Sequence, residues 1–179
     1  MKTLTTATLI VAFLLPAGCG KAEVQENAAP EFDIHTAAVI GNLEAVQQHI
    51  ALGSDLNLKE PTRGSSPLIT ATVFGKTEVA VALIEAGADV DYQNNEGSTA
   101  LITAALFCRT EIVTALLEQG ADKTLTNAAG HTALDTVSPP FEVVRGIYDA
   151  LGAALAPLGL QLDYERIQTT RPKIVEMLR

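Results

Sequence analysis

Three histidines, two cysteines and 21 acidic residues are what this 179-residue chain offers for proton transfer, metal binding or nucleophilic attack. His35, His49 and His131 stand far apart, without the HxxxH or CxxC spacing that brings two ligands to one metal ion. A phosphate-cradling GxxxxGKS/T loop is missing, and so is a Gly-x-Ser-x-Gly elbow. Cys108 has no histidine near it in sequence to take its proton, and it reads as a small residue in a turn. Asp89, Asp91 and Asp122 recur at one place in a longer pattern, which implies backbone turn chemistry and not an acid–base pair. Asp163, Tyr164, Glu165 and Arg166 lie in a C-terminal segment outside that pattern, and an enzyme site there is the remote alternative. The expectation is therefore no catalytic, metal or cofactor site.

The elements that carry these residues are repeats. Ser65–Gly97 reads SSPLITATVFGKTEVAVALIEAGADVDYQNNEG and Ser98–Gly130 reads STALITAALFCRTEIVTALLEQGADKTLTNAAG, two consecutive 33-residue copies aligned without a gap. Leu68 falls on Leu101, Ile69 on Ile102, Glu78 on Glu111, Leu83 on Leu116, and Gly87-Ala88-Asp89 on Gly120-Ala121-Asp122. The period, the small-apolar first segment, the Leu-Ile-Glu/Leu-Leu-Glu second segment and the Gly-Ala-Asp turn together resemble the ankyrin repeat. That resemblance implies an all-α solenoid of about four helix-turn-helix repeats with a C-terminal capping helix. Repeats are expected at about 32–64, 65–97, 98–130 and 131–163, with the cap at 164–179. Ser66 is an N-cap with Pro67 at the first helical position, and Gly75, Gly87 and Gly120 stop helices. Ser138-Pro139-Pro140 cuts the first helix of the fourth copy short, and Glu142–Gly152 reads as its second helix. Pro172, Ile174, Val175 and Leu178 read as a final short helix laid over the last repeat.

The resemblance also implies a function, namely non-catalytic protein–protein interaction. Val39-Ile40, Val73-Phe74 and Leu106-Phe107 line up just before the inter-helix turn, a position that in the family faces the concave groove. An exposed row of six apolar residues is an interaction surface; packing under the neighbouring repeat is the competing explanation. Thr36, Thr70, Thr103 and Thr136 form a second row, explained either by recognition or by hydroxyls bonding back to their own helices. Tyr92, Gln93 and Asn95 at the loop tips are the third candidate surface, with a solvated turn as the alternative. His35 keeps the family's histidine, whose implied role is to tie neighbouring repeats by hydrogen bonds, whereas Ile69, Ile102 and Asp135 replace it elsewhere.

Composition limits the partner and suggests an address. A net charge of −9 opposes a nucleic-acid partner, which calls for a basic footprint, and suits a basic protein surface instead. Residues 1–18 have the short basic start and uncharged run of a secretory signal, and 19–31 read as a polar tether. Ala17-Gly18-Cys19 resembles a bacterial lipobox, with Pro16 departing from the usual Leu. Lipidation of Cys19 and plain cleavage near it are both open, and the membrane enters only through that anchor. The expected location is exported, periplasmic or anchored to the outer membrane facing the periplasm. A dedicated accessory subunit, inhibitor or immunity factor of one periplasmic enzyme is the alternative to a general interaction module.

Overall fold

The computed structural model describes residues 29–179. The expected signal segment, Cys19 and most of the tether lie outside the described residues. Those described form nine α-helices and no strand. They begin with three helix pairs: α1 (Ile34–Ile40) with α2 (Leu43–Ala51), α3 (Pro67–Val73) with α4 (Thr77–Glu85), and α5 (Ala100–Leu106) with α6 (Thr110–Glu118). Each first helix is capped by the residue before it. Asp33 accepts from the N–H groups of His35 and Thr36, Ser66 Oγ from Ile69, and Thr99 Oγ1 from Ile102.

First helices pack on first helices and second on second, so the apolar stripe of each pair is covered only by its neighbours. Leu68, Leu83, Leu101, Ile112 and Leu116 are fully buried along that seam. The turn inside each pair needs a left-handed residue. Gly41 and Gly75 supply it, and at the same place the third repeat has Cys108 at φ 52°. A side chain at Gly75 would run into the guanidinium of Arg109, which donates to the carbonyl of Val73 across the repeat boundary.

The fourth repeat departs from the expected layout. Its first helix, α7 (Ala133–Val137), is short, as the proline pair requires, and is closed by a Thr132–Asp135 capping box. The next helix, α8 (Phe141–Leu155), does not stop at Gly152 but runs on into a 3-10 turn at Ala156–Leu158. Gly152 is helical here. Its bare Cα faces the returning chain, where a Cβ would sit 3.4 Å from Leu162 Cδ1.

It is the last helix, α9 (Tyr164–Leu178), that packs against α6 and α7 in the manner of a second helix. Arg171-Pro172-Lys173-Ile174-Val175 then matches Arg109-Thr110-Glu111-Ile112-Val113. The cap of the sequence reading is thus the second helix of the fourth repeat, and α8 is an insertion between its two helices. Pro172 is carried inside α9. Among the described residues, no helix is long and apolar enough to cross a membrane.

Candidate functional site

An open trough of about 290 Å³ runs along the first helices of repeats two to four. Ile69 and Val73 from α3, Ile102 and Leu106 from α5, and Thr136 from α7 form its floor. One wall is the inserted α8 with its 3-10 turn, through Leu151, Leu155 and Leu158. The other is the row of inter-repeat loops, through Arg63, Asn94, Glu96 and Asn127.

The α8 wall is fastened at its N-terminal half. Phe141, Val144 and Tyr148 are buried at helical spacing, and the rings of Phe141 and Tyr148 stack at 5.6 Å. Tyr148 donates its hydroxyl proton to the carbonyl of Leu106 at 2.6 Å and accepts from Arg171 Nη1 at 2.7 Å. Burial pushes the Tyr148 phenol up to about 12. Arg171, itself buried, donates also to the carbonyls of Val137 and Pro139, which close α7. Arg166 does the same for Phe107 and Cys108 at the end of α5. Cationic side chains therefore satisfy the carbonyls where first helices end, a placement that the helix dipole also favours.

The loop wall is held by a repeated device. The Glu60 carboxylate accepts the N–H groups of Thr62, Arg63 and Ser65; Asn94 Oδ1 accepts those of Glu96 and Ser98; Asn127 Oδ1 accepts those of Ala129 and His131. For Glu60, burial works against the charge, but the three N–H donors outweigh it and hold the carboxyl below its usual range. Neighbouring loops are joined through Asn95 N–H to the Arg63 carbonyl and Ala128 N–H to the Glu96 carbonyl, both at 2.9 Å.

The expected site residues divide by place. Thr70, Val73, Phe74, Thr103, Leu106 and Phe107 all border the trough. Phe107, expected on the open side, is only 3% exposed, although Phe74 at the same place in α3, with nearly the same backbone angles, stays half-buried. Thr103, 6% exposed, donates to the carbonyl of Thr99, so its hydroxyl is already used within its own helix. Thr36 lies apart from the trough and is paired with Asp33.

Tyr92, Gln93 and Asn95 do not line the trough. Tyr92 donates to the carbonyl of Gly64, and Gln93 to those of Gly97 and Thr126, so they bind loop to loop. The residues missed from sequence are Leu151, Leu155 and Leu158 of the inserted wall. Their signal was the uncharged run Ala150–Leu160, with the match between Arg171–Val175 and Arg109–Val113 to show that the repeat closes later.

Other groups with chemical potential are buried, bonded or scattered. Burial pushes the Cys108 thiol up, against the pull of Arg171, Arg166 and Arg109 around it, so the thiolate is disfavoured. His49 Nε2 lies 2.9 Å from the carbonyl of Phe32 and so carries the proton, leaving Nδ1 to accept from Ser54. Both ring nitrogens of His35 are enclosed without a protein partner, unlike the tie implied for it. Asp163 caps α9, Tyr164 donates to Asp149, and Arg166 serves α5, so the C-terminal polar cluster points in separate directions. At the turns after the second helices, Asp55, Asp89 and Asp122 each accept a backbone N–H two residues on.

Comparison with known proteins agrees with this architecture. The family described as ankyrin repeats (3 copies) matches residues 34–127. A human relative, "DNA-binding protein RFXANK", is 41% identical over 56 residues, which is 31% of this chain and 22% of that protein. The likeness therefore spans about a fifth of the relative's length.

Proposed function

Because this chain belongs to the ankyrin-repeat family, we propose that it is a non-catalytic protein-binding module, exported and anchored through Cys19, that engages a protein partner along the trough and its loop wall. Ankyrin repeats indicate a protein–protein interaction module. What carries the finer reading is the state of Val73, Phe74 and Leu106. These apolar side chains stay half-buried beside the trough, next to the closed floor residues Ile69 and Ile102. Export and anchoring rest on the basic start, the uncharged run and Ala17-Gly18-Cys19. The net charge of −9 favours a partner with a basic rim around the apolar side chains it inserts.

Crosslinking capture from periplasmic extract, with bound proteins identified by mass spectrometry, tests the reading. Phe74→Glu is expected to lose the partner, and Glu85→Arg on exposed α4 surface to keep it. Recovery of the same proteins by Phe74→Glu would overturn it.

A further inference from the structure

We propose that the trough is also a binding site for a small molecule: a linear, uncharged aliphatic chain of roughly a dozen non-hydrogen atoms, a size scaled from the ~150 Å³ in which an apolar cavity accepts benzene. Three independent features of the trough define this guest.

The first is empty volume where the chain had the means to fill it. The core of the stack, such as Leu68, Leu83, Leu101 and Leu116, is fully buried, and protein interiors are normally packed as tightly as organic crystals. Here α8 is laid over the floor, yet about 290 Å³ remains between them. Leu151 and Leu155 are left half-buried, and Leu158 is 58% exposed. A wall that served only to cover Val73 and Leu106, both half-buried, would settle onto them, since apolar surface left in water forfeits burial energy. Tyr148 prevents this by fixing the helix to α5 and α9, which keeps the space preformed.

Shape is the second feature. The floor draws on three successive first helices, α3, α5 and α7, and neighbouring packed helices lie roughly 8–10 Å apart. The trough is therefore long for its volume. It suits an extended chain better than a ring system.

Charge is the third. The charged residues lining the trough are Glu60, Arg63 and Glu96. Loop N–H groups occupy the Glu60 carboxylate, and Arg63 and Glu96 face each other at 3.9 Å. The one cation among them, Arg63, is already paired, loosely and half in water, so an ionic head would gain little there for the hydration it gives up.

Titration of the full chain with 1-decanol, read by calorimetry and ligand-observed NMR, tests the proposal. Saturable one-to-one binding is expected, weaker by at least about tenfold for decanoate, whose charge must be desolvated, and for cyclododecanol, which is too wide. Val73→Trp and Leu155→Trp, placed on opposite sides of the empty space, are expected to abolish binding while keeping the wild-type helical circular dichroism; Val143→Ser, on the exposed outer side of α8, is expected to leave it intact. Absent saturable binding by the wild type would overturn the site. So would undiminished binding by both tryptophan variants, or loss of binding in Val143→Ser, which would put the alcohol on the outer surface. Decanol binding and partner capture are read separately, so failure of either leaves the other standing.

Discussion

At the scale of single residues, polar chemistry in this molecule is spent on holding helix ends and loops together. Tyr148 is the clearest case, because its hydroxyl is both donor to Leu106 and acceptor from Arg171 within a fully buried setting. Tyr148→Phe should cost about 1–3 kcal/mol in urea unfolding at neutral pH, the range for orphaning a buried polar group. The same residue gives a pH signature. Its phenol is raised from 10.0 to about 12 by burial, so its contribution is fully present below pH 10. Between those values the unfolded chain releases the proton first, and stability falls as pH rises. The phenylalanine variant should lose that component of the slope, which a pH series of melts would reveal. Sequence alone made the repeated aspartates legible as turn residues and Cys108 as a turn residue, because both roles follow from position in the repeat. The duties of Tyr148, Arg166 and Arg171 were not legible, since each serves a carbonyl far away in the chain.

At the scale of elements, the regular pairs follow directly from periodicity and caps, and α8 and α9 do not. Glu142–Gly152 imitates a second helix closely enough to be taken for one. What overrules it is tertiary: α6 presents one open face, and Ile167, Ile174 and Leu178 of α9 bury themselves in the stack. The two kinds of helix should respond differently to truncation of one leucine. Leu116→Ala, in the closed seam, is expected to cost roughly 2–5 kcal/mol. Leu155→Ala, facing the trough and half-buried, should cost less than about 1 kcal/mol. Equal losses in denaturant melts would contradict the assignment of α8 as a side wall.

At the scale of the whole molecule, stability is shared along a line of neighbours, and at the fourth repeat it is α9 that covers α6 and α7. A chain stopped after Asp163 keeps α8 but lacks α9, and it should show a lower, broader urea transition than the full chain. An unchanged midpoint would mean that α8 alone can close the stack. The solenoid, its repeat count and its first-helix floor were readable from one sequence because they are built from local pattern. The trough was readable only in part, since one of its walls is an insertion with no counterpart in the other repeats.

That insertion also has a bearing on the order in which the molecule is made. Repeats one to three can each close once their second helix has followed their first. The fourth cannot, because residues 141–163 must be laid aside before α9 reaches α6. Until then the outer face of the third repeat stays open, and Tyr148 lacks the arginine that secures it. The wall of the trough is therefore secured only when α9 is in place, in the same step that covers the third repeat.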